Sequence, residues 1–282
     1  MAAVPGSMSM TPRLLSNGLA PTASRMLAAW RQQLIMLLLL LLLPSLVPDA
    51  AVDARQCFWP SPAPEEAGCL SWRVMVEANN ARGWRTVPAP CVGYVRGYMT
   101  RGQYGRDLAG VMEQASAYVD QIGAPGDDGL DAWVLDIDDT CLSNLLYYEA
   151  KQFGAYDPLA FKAWASREAC TGIPPVRELF TTLVDKGFKV FLLSGRDEET
   201  LGSCTAENLE AEGFSGHERL IMRTPEYRGQ SSSVFKSAMR KRLVEEEGYR
   251  IRGNVGDQWS DLQGDYPGDR VFKIPNPMYF VP

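Results

Sequence analysis

The chain of 282 residues has one histidine, His217. A phosphatase centre built on histidine needs two, and a dinuclear metal centre needs several, so both are excluded. No cysteine has an arginine six residues later, which excludes the thiolate loop of the cysteine phosphatases. There is no basic excess: 28 Lys and Arg face 34 Asp and Glu, a net charge of −6. Phosphate backbones attract basic surfaces, so nucleic acid is not an expected partner. No Asn-X-Ser/Thr acceptor is present, so N-glycosylation is not expected; that absence does not argue against secretion. No internal repeat occurs. His217 follows Gly213 to Gly216 and reads as a loop residue.

There is also no apolar run of about 20 residues, the length that spans a bilayer. The longest is Leu34 to Val47, with seven consecutive leucines from Leu37 to Leu43 and a break at Pro44. Arg25 and Arg31 precede it, and Val52-Asp53-Ala54 follows with small residues suited to cleavage. Residues 1–54 therefore read as a secretory signal peptide, with Met26 as an alternative start. An uncleaved anchor is the competing reading, disfavoured by length. The expectation is a secreted or vacuolar protein beginning near Arg55, with no stable membrane insertion after cleavage. Six cysteines in such a chain permit disulfides. Cys69 with Cys91 is the first expected pair, since both lie in the same aromatic segment. A loop of that length restricts the unfolded chain by about 3 kcal/mol.

What the chain does have is Ala132 to Asn144, Ala-Trp-Val-Leu-Asp-Ile-Asp-Asp-Thr-Cys-Leu-Ser-Asn. The apolar run has the length of a buried strand and ends in Asp136, Asp138, Asp139 and Thr140. Carboxylates crowded there repel one another and lose hydration. A metal, a cationic side chain or backbone donors must offset that cost. A plain acidic loop capping the next helix is the competing reading.

Strand and helix signals alternate from here on, predicting an α/β fold: a Rossmann-like, mostly parallel sheet flanked by helices. Strands are expected at 132–135, 189–193, 219–222, 251–255 and 271–274. Helices are expected at 108–122, across 145–170, from Pro174 to Gly187, on to Glu212, and at 232–247. Residues 55–125 read as an aromatic and helical segment packing on a core of 126–282. Four element ends carry complementary polar groups: Asp136 with Asp138, Ser194, Lys236, and Asp257 with Asp261.

In this order the four resemble the motifs of the haloacid-dehalogenase-like superfamily. Asp136-Ile-Asp138-Asp-Thr140 matches its first motif, Leu193-Ser194-Gly195-Arg196 the second, Lys236 the third and Gly256-Asp257-Gln-Trp-Ser-Asp261 the fourth. Ser71-Trp72-Arg73, Val76 to Asn80, Tyr98-Met99, Leu142-Ser143-Asn144 and Gly256 to Leu262 narrow the likeness to the plant class B acid phosphatases. That group includes the vegetative storage proteins. The resemblance implies an acid phosphatase acting on small phosphate monoesters, with a small helical cap at about 145–187. It makes Asp136 the nucleophile and Asp138 the general acid and base. Asp136, Asp138 through its carbonyl, and Asp257 are the expected Mg²⁺ ligands. Ser194, Gly195 and Lys236 are expected to bind phosphate, with Thr140 and Asp261 in support. A homodimer is left open. Some storage members have lost the nucleophilic aspartate, whereas Asp136 is present here; storage remains the alternative reading. A dehalogenase is disfavoured, because a halide leaving group needs no proton from Asp138.

Overall fold

The computed structural model describes residues 30–35, 65–167 and 170–281. Residues 30–35 are helical and belong to a unit of residues 1–61; residues 62–282 form the other unit. The rest of the expected signal peptide lies outside the described residues. Among the described residues no helix is long and apolar enough to cross a membrane.

In chain order the second unit runs α1 (Glu65–Glu77), α2 (Val92–Thr100), α3 (Gln103–Ile122), β1 (Asp131–Leu135), β2 (Leu142–Ser143), α4 (Leu145–Ala150), α5 (Pro158–Ala165) and β3 (Thr171–Gly172). It continues through α6 (Pro174–Asp185), β4 (Lys189–Asp197), α7 (Glu198–Ala211), β5 (Arg219–Arg223), α8 (Ser232–Glu245), β6 (Arg250–Gly256), α9 (Trp259–Leu262) and β7 (Arg270–Lys273). Five strands make one parallel sheet in the order β5-β4-β1-β6-β7. The chain builds outward from β1 through β4 to β5, then crosses to β6 and β7. That reversal flanks β1, and ligands of open α/β sheets bind beyond the carboxyl ends of strands at such a point.

All five residues of β1 are buried, as a central strand covered on both faces requires. Alternate side chains divide between two cores. Trp133 and Leu135 join Val190 and Leu192 beneath α3 and α6, while Ala132 and Val134 join Phe191 and Leu193 beneath Phe235 and Leu243 of α8. Trp133 stacks on Phe272 with ring centroids 5.7 Å apart. Its indole lies against β6 so closely that a Cβ on Gly253 would come within 2.3 Å of it. Only glycine fits there.

The expected helix across 145–170 is two short ones. The chain leaves α4 through Gln152 and Phe153 at positive φ, and α5 restarts where Asp157 caps Leu159 and Ala160 ahead of Pro158. Leu142 and Ser143 pair antiparallel with Gly172 and Thr171, a two-residue ladder too short to leave a period in the sequence. The aromatic N-terminal segment is largely helical, as α1 and α2, which the disulfide Cys69–Cys91 joins. Its Val87, Val95 and Tyr98 pack with Tyr148, Phe161, Met278 and Tyr279 in a third core.

Candidate functional site

The turn after β1 gathers the acids. The N–H groups of Thr140, Cys141 and Leu142 all donate to the Ile137 carbonyl, at 3.3, 3.0 and 2.8 Å. This tight winding puts Asp139 at φ +57 and brings the Asp138 side chain to the same cavity as Asp136. The bridge to Leu142 uses the Ile137 carbonyl and the Asp139 N–H, which leaves the Asp138 carbonyl out of it. Thr140 is fully buried, and its hydroxyl has no partner among the described residues.

Asp136 is 5 % exposed, Asp257 1 %, Asp261 3 % and Lys236 4 %. Lys236 Nζ donates to Asp136 Oδ1, and also to Asp261 Oδ1 at 2.7 Å. Asp136, Asp257 and Asp261 each place a carboxylate oxygen within 4.8 Å of the others. One oxygen of Asp257, Oδ2, accepts from Gln258 at 2.7 Å and Asn276 at 2.5 Å. Burial, with Asp261 and Asp139 nearby, pushes Asp257 up to about 7. Burial raises Asp136 well above the usual carboxylate range even though Lys236 opposes it. Three carboxylates here face one ammonium, and their oxygens are the donor chemistry that suits a hard divalent cation such as Mg²⁺.

Asp138 has a different partner. Arg196 donates to it from Nε at 3.0 and 3.2 Å and from Nη2 at 2.8 Å, and Asn144 Nδ2 donates at 2.8 Å. Burial alone would raise Asp138; the Arg196 charge and these hydrogen bonds outweigh it and hold the carboxyl below its ordinary value. Asp139, pushed by burial to about 7, accepts from the Asn144 N–H at 2.9 Å and the Tyr279 hydroxyl at 2.8 Å. Burial also pushes the Cys141 thiol well up, which leaves it inert as a nucleophile.

A cavity of about 570 Å³ opens over this cluster, and Asp136, Asp138, Gly195, Lys236, Asp257 and Asp261 all line it. Ser194 does not: it is fully buried, and its Oγ accepts the Arg196 N–H at 3.1 Å. The structure thus brings together Asp136, Asp138, Gly195, Lys236, Asp257 and Asp261, with Ser194 and Thr140 just behind. The rest of the wall includes Tyr148 of α4, Tyr156 in the link to α5, Leu159 and Phe161 of α5, Asp197, Arg223 and Ser232 beyond Gly195, and the C-terminal Tyr279 to Val281. Arg196, Asn144, Asn276 and Tyr279 carry no assigned role in the sequence reading, although Arg196 and Asn144 sit inside its motifs. Asn276 and Tyr279 leave no local pattern; only the fold returns the C-terminus to the site.

A five-stranded parallel sheet with acids at the ends of β1 and β6 defines the class, and the comparisons agree. The chain belongs to the HAD superfamily, subfamily IIIB (acid phosphatase), whose family model matches residues 57–282. Acid phosphatase 1 of Solanum lycopersicum is 40% identical over 219 residues, covering 77% of this chain and 85% of the relative. Vegetative storage protein 2 of Arabidopsis thaliana is 40% identical over 220 residues, covering 77% and 81%. The class C acid phosphatase from Bacillus anthracis with tungstate bound superposes with a TM-score of 0.55 at 22% identity, covering 65% of this chain and 82% of that one. That likeness shows the fold.

Proposed function

We propose that the chain hydrolyses phosphate monoesters by way of an aspartyl-phosphate on Asp136. The observation that carries this reading is one buried group, Asp136, Lys236, Asp257 and Asp261, at the cavity wall beside Asp138. A carboxylate nucleophile divides one slow hydrolysis into two faster steps. An Asp136 oxygen attacks phosphorus, the ester P–O bond breaks, and the leaving oxygen takes a proton from Asp138. Water then attacks phosphorus, Asp138 takes its proton, and the bond to Asp136 breaks to release phosphate. Lys236 holds Asp136 in place and offsets charge on the transferring group. Ser194 holds the Arg196 N–H and so shapes the turn from which Gly195 faces the cavity. Asp136, Asp257 and the Asp138 carbonyl, with Asp261 in support, would hold Mg²⁺, whose positive charge would offset repulsion between nucleophile and phosphate.

Arg196 sets the condition for the proton step. An anionic substrate adds negative charge beside Asp138, which raises its proton affinity. Turnover is therefore fastest on the acid side of neutrality. Selectivity comes from the cap-like wall of α4 and α5. The leader sequence directs the protein to secretion or the vacuole; N-terminal sequencing of native protein should begin near Arg55, and an intact N-terminus contradicts that. The relatives named as vegetative storage proteins favour storage as the second reading. Assay of the purified chain with Mg²⁺ against a panel of phosphate monoesters separates the two. Turnover on any of them supports the enzyme; none, with the fold intact, leaves storage.

A further inference from the structure

The guanidinium of Arg223, at the end of β5, lines the cavity with no carboxylate partner among the described residues. Its Nε donates to the Gly195 carbonyl at 3.2 Å, and Nη1 donates to the carbonyls of Tyr227 and Gln230 at 3.0 and 2.7 Å. These bonds hold the fork in place but leave Nη2 without a hydrogen bond among the described residues, although that nitrogen carries two donors. The two buried cations at the cavity each meet a carboxylate, Lys236 at Asp136 and Asp261, Arg196 at Asp138, whereas Arg223 is half-buried and Lys162, also on the wall, is exposed. Asp197 also lines the cavity, yet it is committed to Arg228 at 2.7 Å and to the Thr200 N–H at 3.1 Å. Burial holds Arg223 below its ordinary value, opposed only by the phenol of Tyr156, another residue of the cavity wall.

A second group faces the same space. Ser232, 8 % exposed, opens the 14-residue helix α8 and lines the cavity, and its hydroxyl has no hydrogen-bond partner among the described residues. A Cβ added to Gly195 would lie 3.2 Å from Ser232 Oγ and 3.6 Å from Arg223 Nη2. Two uncommitted donors thus converge on the space in front of Gly195, at a helix N-terminus that favours negative charge. Lys236 stands just over one turn further along α8, about 6 Å away along the axis, where it meets Asp136.

The geometry points to a second anion subsite. The phosphate monoester this site takes carries another anionic group, a carboxylate or a phosphate, on its leaving alcohol, and Arg223 Nη2 and Ser232 Oγ bind it. The inference rests on the phosphatase reading, with Asp136 and Lys236 at the transferred phosphoryl group. It assigns Arg223 and Ser232 to substrate selection.

The test uses the full chain with Mg²⁺ and two matched substrate pairs: phenyl phosphate against para-carboxyphenyl phosphate, and propyl phosphate against propanediol bisphosphate. The wild type should show higher kcat/KM for the second member of at least one pair, and the pair that responds tells carboxylate from phosphate. Arg223→Gln should lower that preference about tenfold, the scale of one charged hydrogen bond. Ser232→Ala should lower it less, and this variant serves if Arg223→Gln does not fold. Calorimetric binding of phenylphosphonate and para-carboxyphenylphosphonate, with propylphosphonate and propane bisphosphonate as the second pair, repeats the comparison without turnover. Absence of turnover on every substrate defeats the phosphatase reading, while an Arg223-dependent preference in binding still supports the subsite. Equal kcat/KM and equal affinity within both pairs in the wild type, or a preference unchanged in Arg223→Gln and in Ser232→Ala, overturns it.

Discussion

The two ends of β1 carry aspartates of equal burial and opposite character. Asp131 opens the strand and Asp136 follows it, each 5 % exposed. Asp131 Oδ1 accepts from Arg250 and Arg252, both at 2.8 Å, and Oδ2 accepts the Gly126 N–H at 2.8 Å. Burial raises this carboxyl, but those partners outweigh it and bring it down to about 2. At the other end, Asp136, Asp138, Asp139, Asp257 and Asp261 share two buried cations, Lys236 and Arg196. A saturated ion cluster suits a structural joint; an excess of buried carboxylates over cations is the arrangement in which functional sites concentrate.

Single substitutions at the two ends should separate these roles. Asp136→Asn keeps the volume and removes the attacking oxygen's charge, so kcat on an aryl phosphate should fall to background while the circular dichroism stays native. Chelation of Mg²⁺ should abolish turnover and its return should restore it, read in the same assay. Asp138→Asn should cost about 10²–10⁴-fold on an alkyl phosphate, whose leaving group needs the proton, and clearly less on a nitrophenyl ester. A Brønsted plot of rate against leaving-group pKa checks it.

The ends should also differ in the sign of their pH dependence. Asp257 and Asp139 have folded values near 7, above the ordinary carboxylate value. They bind protons more tightly in the folded chain, so their contribution is fully present at low pH and is lost as pH rises through about 7. Chelated protein should therefore melt lower at pH 8 than at pH 5, and added Mg²⁺ should recover more at pH 8. Asp131 acts the other way, with stability present above its unfolded value and lost as pH falls towards 2. The smallest effect is that of Asp131→Asn. Its arginine partners are more than a third exposed, so about 1–2 kcal/mol of stability is lost, read from the urea midpoint, with kcat of the folded enzyme unchanged.

The sheet was legible because its strands are short apolar runs closed by Gly, Pro or acids, and each expected strand appears within a few residues of its place. Lys236, Asp257 and Asp261 were legible through the order of the superfamily motifs they resemble, whereas the cost of crowding carboxylates at Asp136 to Asp139 called only for some cation or donor to meet them. The Arg196 pairing was not, since Asp138 and Arg196 lie 58 positions apart and an arginine after a strand has many possible partners. The split of α4 from α5 turns on Asp157 and Pro158, a cap-and-start pair that the aromatic run around it obscures. Asn276 and Tyr279 reach Asp257 and Asp139 only through the path of the C-terminal segment, which no local pattern encodes.

The central claim is that the open end of β1 carries the phosphoryl group on Asp136. Acid quenching of the enzyme during turnover of a radiolabelled aryl phosphate, followed by peptide mapping, tests it most directly. The account predicts an acid-stable acyl phosphate on the peptide containing Asp136, absent in Asp136→Asn and unaffected by Asp131→Asn. Label on another residue, or steady turnover with Asp136 never labelled, would contradict it.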